Sequence, residues 1–244
     1  CFKKMKVIVL QHIKIEDPGY IKDLMIKDGA ELTTIELDEG EKIPQDLSTY
    51  DAMFCMGGPM DTWMEKNYPW LIEEKKRIKE FVVELKKPYL GFCLGCQLLG
   101  EIIGGKVVKS KNPEIGMLNI NFSENKNDDL LFSEFSEKIT SLQWHSYEVQ
   151  DLDNNDDVTL IASSPETKYQ IFKYKSHAYG IQFHIEVKKT TVGEWGCIPE
   201  YKSALEKELG EGALEKIDQE AKINMNFMNN YSEILYQNFK KLIK

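Results

Sequence analysis

The apolar positions of the first half of the chain fall in short blocks whose period switches back and forth. Lys6–Gln11 (KVIVLQ) is a β-branched run of strand length and reads as a buried strand. Asp17-Pro18-Gly19 punctuates it, and Tyr20–Lys27 has the spacing of a short amphipathic helix ended by Gly29. Glu31–Leu37 alternates and reads as a second strand; Tyr50–Met56 reads as a third, stopping at Gly57-Gly58-Pro59. Trp70–Lys87 then takes helical spacing, with Leu71, Ile72, Ile78, Phe81, Val82 and Leu85 as the apolar stripe and lysines and glutamates opposite. Pro88 stops that helix, Tyr89–Phe92 enters another strand, and Leu94–Ile103 reads as a buried helix closed by Gly104-Gly105. Buried strands alternating with helices predict an α/β fold with a mostly parallel central sheet flanked by helices.

The second half is richer in strand signals: Lys106–Val108, Met117–Phe122, Ile139–Trp144, Thr159–Ser163, Tyr169–Tyr174 and Ala178–Phe183. Asp151–Asp157 is an acidic surface turn. From Glu200 the pattern is helical, as Tyr201–Leu209, Ala213–Met228 and Tyr231–Ile243, with Gly210 and Gly212 between the first two. No repeat or flexible linker interrupts the chain. One domain over residues 1–190 is expected, with a helical C-terminal extension over 191–244 packed on it.

Composition narrows the class. The chain has 244 residues, 42% hydrophobic and 29% charged, with a net charge of −9; that suits a globular protein with a sizeable core. An acidic balance argues against nucleic acid as partner, because backbone binding needs clustered positive charge. A single arginine, Arg77, stands among the 31 basic residues, so no arginine cluster can form for carboxylates or phosphates. The apolar run Val7–Leu10 is too short for a signal-peptide core, and no stretch has the length of a membrane span. Cys1, Cys55, Cys93, Cys96 and Cys197 are odd in number and scattered, so reduced thiols and a cytoplasmic location are expected.

The candidate chemistry begins at Gly91-Phe92-Cys93-Leu94-Gly95. A Gly-x-nucleophile-x-Gly pattern between strand and helix is a nucleophile elbow. The thiol would stand at a helix N-terminus, where the dipole favours thiolate, and the Leu94 amide could stabilise an oxyanion. Cysteine is also a common small core residue; the paired glycines favour the functional reading. Cys93 and Cys96 form a C-x-x-C, a redox alternative, but the motif follows about the fourth strand rather than the first, and Cys96 reads as space-filling. Gly180–Glu186 is an apolar strand ending in His184-Ile185-Glu186. On one strand face, Glu186 can orient His184, whose other nitrogen can take the proton of Cys93. The other histidines fit less well. His12 has no obvious acid partner, His177 sits in a turn expected to face solvent, and His145 lines the same pocket but lacks a carboxylate two positions on. Gly57-Gly58-Pro59 offers a second oxyanion-hole amide. No metal-ligand spacing and no Walker loop appears, so no metal or cofactor is expected.

The order G-G-P, G-F-C-L-G-C-Q, G-I-Q-F-H-I-E resembles the class I glutamine amidotransferases of the Cys–His–Glu triad type, and more narrowly the stand-alone GMP-synthase-like subgroup. The similarity extends to Val9–His12, Tyr68–Leu71, Glu114–Gly116, Gln143–Ser146 and Ala162–Pro165. The resemblance implies a flavodoxin-like sheet. It makes Cys93 the nucleophile, His184 the general base and Glu186 its orienter, with Gly58 and Leu94 donating the oxyanion-hole amides. It further implies that Gln97 and the segment His145-Ser146-Tyr147 hold the glutamine. Many members carry Pro where this chain has Ile185, whose side chain should face away from the triad. The implied reaction passes through a cysteinyl γ-glutamyl thioester, releasing ammonia and glutamate. No Ser-Gly-Gly-x-Asp-Ser pyrophosphate loop is present, and residues 191–244 are too few for a synthetase domain. The expectation is thus a glutaminase serving a separate synthetase, or a stand-alone hydrolase of γ-glutamyl amides or peptides. Thiol proteins and proteases on the same scaffold commonly place His directly after the elbow Cys, where this chain has Leu94. A redox or binding protein using Cys93–Cys96 is the remaining alternative.

Overall fold

Strand β1 (Lys6–Gln11) shows why its sequence is apolar at successive positions. Its neighbours on both sides, β2 (Glu31–Glu36) and β3 (Ala52–Cys55), run parallel to it. A parallel strand is covered on both faces, so both sets of alternating side chains are buried. Val7 and Val9 enter one apolar cluster, Ile8 and Leu10 the other. The computed structural model describes residues 4–243, so Cys1 lies outside the described residues.

The remaining elements follow in chain order. Helix α1 (Gly19–Lys27) joins β1 to β2, and α2 (Trp70–Lys79) joins β3 to β4 (Tyr89–Phe92). Next come α3 (Leu94–Ile102), β5 (Lys106–Phe122), β6 (Lys138–Gln150), β7 (Val158–Ser163), β8 (Ile171–Tyr174) and β9 (Ala178–Ile181). Helices α4 (Thr191–Trp195), α5 (Pro199–Leu209) and α6 (Ala213–Lys240) complete the chain. Among the described residues the strands form one sheet in the order β2-β1-β3-β4-β9-β8-β7-β5-β6. It is parallel from β2 to β9 and antiparallel from β9 to β6. The α/β architecture read from the sequence is therefore present, and the parallel half carries the site.

Four departures from the sequence reading have physical causes. Lys106–Val108 and Met117–Phe122 belong to one strand, because β5 pairs with β6 up to Lys109 and again from Glu114, the residues between them forming an irregularity where the register shifts. The long helix from Trp70 changes to π-helical winding over Glu80–Glu84 before Pro88. The final two helices are one, α6. The low-propensity pair Asn229-Asn230 is carried through by a buried face that includes Met225, Met228, Tyr231 and Leu235. The strand expected to reach Phe183 ends at Ile181, so the His-x-Glu segment lies beyond it.

Helices α2 and α3 cover one face of the sheet and α1 and α6 the other. Phe239 of α6 meets Phe54 of β3 edge-on, with ring centroids 5.2 Å apart. The C-terminal helix thus shares the apolar cluster of the central strands.

Candidate active site

Four neighbouring parallel strands, β1, β3, β4 and β9, end at one edge of the sheet. Their carboxyl ends deliver His12, Gly57-Gly58, Cys93 and, just beyond β9, His184. Crevices at this edge are the usual binding sites of open α/β sheets.

Cys93 sits between β4 and α3 with φ 49° and ψ −103°, a conformation that costs energy for any residue with a Cβ. Its N–H donates to Ile181 O at 2.8 Å, extending the β4–β9 ladder into the turn. Gly95 explains the second glycine of the elbow: a Cβ there would lie 2.1 Å from the Cys55 carbonyl oxygen. Helix α3 can reach back over β3 only because that atom is missing.

His184 and Glu186 are brought onto one side without being part of a strand. The His184 N–H donates to Leu142 O at 2.9 Å, and Ser141 Oγ donates to His184 O at 2.8 Å. Ser232 of α6 donates to Ile185 O at 2.6 Å, and the Tyr20 N–H donates to Glu186 O at 2.6 Å. Contacts from β6, α1 and α6 thus replace the strand ladder. They place His184 Nδ1 2.7 Å from Glu186 Oε1, and Ile185 points into the apolar core. Burial pulls the His184 pKa down, but Glu186 and Cys93 outweigh it, and the ring holds its proton well above the ordinary 6.5. Because Glu186 occupies Nδ1, Nε2 is the ring nitrogen left for Cys93, whose sulfur lies close enough to help raise the ring's pKa.

A cavity of about 280 Å³ opens over Cys93. Gly58, Leu94, Gln97, His145, Ser146 and Tyr147 all line it beside Cys93, whereas His184 and Glu186 lie buried outside its lining. Neither the Gly58 nor the Leu94 N–H donates to a protein acceptor among the described residues. Gln97 Nε2 donates to Tyr147 O at 3.1 Å and to Gln182 Oε1 at 3.2 Å, and Gln182 Nε2 reaches Cys93 Sγ at 3.6 Å. His145 Nδ1 donates to Tyr147 O at 3.0 Å, and its Nε2 faces Glu114 at 3.4 Å. Burial pushes the Glu114 carboxyl up, and His145 with neighbouring hydroxyls more than offsets this, leaving it below the ordinary value. A larger concavity of about 720 Å³ lies at the other end of the strands. It is lined by Lys86, Lys87, Lys173 and Lys175 and holds no thiol.

Several neighbours of the site escaped the sequence reading. Glu16 is buried against His184 and Glu186, accepts a hydrogen bond from Tyr201 of α5, and is pushed up chiefly by burial. Trp195 packs edge-on to His184 at 4.6 Å. His12 does have an acid partner, Glu74 at 2.8 Å, which a sequence separation of 62 concealed. His177 is not in solvent: its Nε2 donates to Val82 O at 2.8 Å and burial lowers its pKa. Cys96 is fully buried, and burial followed by the charge of Cys93 pushes its pKa well up, which disfavours the thiolate a redox pair needs. Arg77 donates to Pro44 O and Glu80, away from the cavity. His12, Cys55 and Glu74 offer ligand atoms within 4.8 Å of one another, the one such trio among the described residues, but direct hydrogen bonds already join them.

The parallel half of the sheet thus carries a thiol on the β4–α3 elbow and a buried His–Glu pair beyond the adjacent strand, the arrangement of an α/β protein with a crevice at its strand ends. Comparison with known proteins narrows this. Residues 20–195 match the model of the family described as glutamine amidotransferase class-I. A glutamine-hydrolyzing GMP synthase subunit from Sulfurisphaera tokodaii is 31% identical over 154 residues, 63% of this chain and 76% of that protein. Its counterpart from Saccharolobus solfataricus is 31% identical over 160 residues, 65% and 79% of the two chains. A crystal structure of a glutamine amidotransferase from Thermotoga maritima superposes with TM-score 0.85 at 26% identity, covering 99% of each chain. The chain belongs to the class I glutamine amidotransferase family. Among the described residues no helix is long and apolar enough to cross a membrane.

Proposed function

We propose that this protein hydrolyses the γ-carboxamide of glutamine, or of a related γ-glutamyl amide, through a thioester on Cys93. The observation that carries the reading is the line Cys93–His184–Glu186 on an elbow flanked by two unengaged amides, Gly58 and Leu94. The Cys93 thiolate attacks the amide carbon, and its proton rests on His184. The two amides stabilise the tetrahedral oxyanion, and His184 then protonates departing ammonia. Water, deprotonated by His184, cleaves the thioester to glutamate and restores the thiol. Gln97, His145, Ser146 and Tyr147 hold the α-amino and α-carboxylate end. With Arg77 outside the cavity, backbone amides take the carboxylate.

The relatives named as GMP synthase subunits support a glutaminase that passes ammonia to a separate synthetase. A second reading, a stand-alone γ-glutamyl peptidase, draws support from α5. Glu200, Tyr201 and Ala204 line the cavity, so part of the wall beside Cys93 comes from this chain's own C-terminal region.

Incubation with glutamine and a panel of γ-glutamyl amides, followed by ammonia and glutamate assays, tests both. The wild type is expected to turn over at least one of them, and Cys93→Ala to lose essentially all turnover and all trapped thioester. No turnover of any substrate, or an active C93A, sinks the proposal. Cleavage of γ-glutamyl peptides without glutamine turnover selects the second reading.

A further inference from the structure

One buried pair near the site takes no part in the reaction just described. His12 and Glu74 are both wholly inaccessible to solvent. His12 Nε2 lies 2.8 Å from Glu74 Oε1, and His12 Nδ1 lies 2.9 Å from the carbonyl oxygen of Gly57. A carbonyl oxygen can only accept, so Nδ1 must carry a proton whichever form the pair takes. The ring is held in plane by Trp70, stacked at 5.6 Å. There is no slack on the other side: a Cβ at Gly57 would strike Glu16 Oε2 at 2.0 Å, and one at Gly58 would stand 2.9 Å from His12 Cβ. The Gly57 carbonyl and the Gly58 N–H are the two ends of one planar peptide unit, so fixing the oxygen fixes the N–H.

We infer that His12, backed by Glu74, is a positioning residue that locks and polarises the Gly57–Gly58 peptide so that the Gly58 N–H is prebuilt as an oxyanion donor. Burial opposes a charged ring, but Glu74 and Gly57 outweigh burial and raise its pKa, which favours the cationic form in which the bond to Gly57 is charge-assisted. Polarising a peptide at its oxygen strengthens donation from its nitrogen. The inference rests on the reading of Cys93 as the acylated thiol. A purely structural ion pair would also be buried and paired, so the test needs readouts that packing alone does not move.

In His12→Leu, kcat on the best γ-glutamyl substrate is expected to fall about 10- to 100-fold with KM within about threefold, the signature of a lost transition-state contact. Iodoacetamide should alkylate Cys93 at the wild-type rate, because alkylation builds no oxyanion. His12→Asn, which keeps an N–H near the Nδ1 position, should recover most of kcat. Nitrogen NMR should show His12 Nδ1 protonated from about pH 6 to about pH 9, and H12L should shift the Gly58 amide resonance. An H12L kcat within about twofold of wild type, alkylation falling in step with kcat in both variants, or a bare Nδ1 overturns the inference. Should the wild type hydrolyse no γ-glutamyl amide, the hydrolase reading fails by itself. The Gly58 resonance then decides the positioning role, which an unmoved signal in H12L overturns.

Discussion

At Cys93 the backbone takes φ 49°, and in the proposed reaction its thiol depends on the hydrogen-bonded pair His184 and Glu186. Glu186→Gln keeps a hydrogen-bond acceptor and removes the charge, so kcat is expected to fall about 10²- to 10⁴-fold in glutaminase assays. The same substitution should leave a pH signature in stability. The folded pKa of His184 is raised above 6.5, so below that value both states carry the proton and the pair contributes in full. As pH climbs, the unfolded state loses its proton first, and the contribution is gone once pH passes the folded value. Urea midpoints of wild type and E186Q should therefore differ most near pH 6 and converge on the alkaline side. The residues of this line were readable in the sequence because the elbow and the His-x-Glu are local patterns. Glu16 and the His12–Glu74 pair were not readable, because their meaning lies in partners far along the chain: Tyr201, and each other.

Among elements, α3 shows how closely helix and sheet must approach for the elbow to form. The Gly95 N–H donates to Met56 O at 3.1 Å, and the space a Cβ would need is filled by the Cys55 carbonyl. Backbone atoms cannot swing aside as a side chain can. Gly95→Ala is accordingly expected to cost about 2–4 kcal/mol in urea unfolding, and to lower Cys93 reactivity as the turn is displaced. Strand and helix identities in the parallel half were legible because both faces are covered, which imprints continuous apolar runs. The antiparallel half was less legible. Polar Lys109–Asn112 gave no strand signal, yet pairing with β6 carries β5 past them and sets Glu114 opposite His145. Similarly, α6 runs unbroken through Asn229-Asn230 because tertiary burial, not local propensity, sustains it.

For the molecule as a whole, the C-terminal helix is part of what holds the site. Phe239 is buried on Phe54 of the central sheet, and Ser232 anchors the peptide between His184 and Glu186. Phe239→Ala should therefore cost about 3–5 kcal/mol, measured by urea denaturation. Most of its effect should fall on stability, with a smaller loss of activity from the loosened anchor at Ile185. The two apolar clusters lie on opposite faces of one sheet, and the strand ends between them are where polar and strained groups can be exposed to a substrate without opening either core.

The sequence by itself determined the strand–helix alternation, the thiol on its elbow, the His-x-Glu pair and the glycine pairs beside them. Each of these is written in residues adjacent along the chain, where periodicity and turn chemistry act. Only the tertiary structure decided which histidines have acid partners and how the His-x-Glu segment is pinned without a strand. It alone also showed that α5 lines the cavity and that Ser232 of α6 anchors the Ile185 carbonyl. Those contacts join residues distant in sequence, and their pairing is set by the strand order β1-β3-β4-β9 and by the packing of helices on both faces. Local pattern carries no record of either.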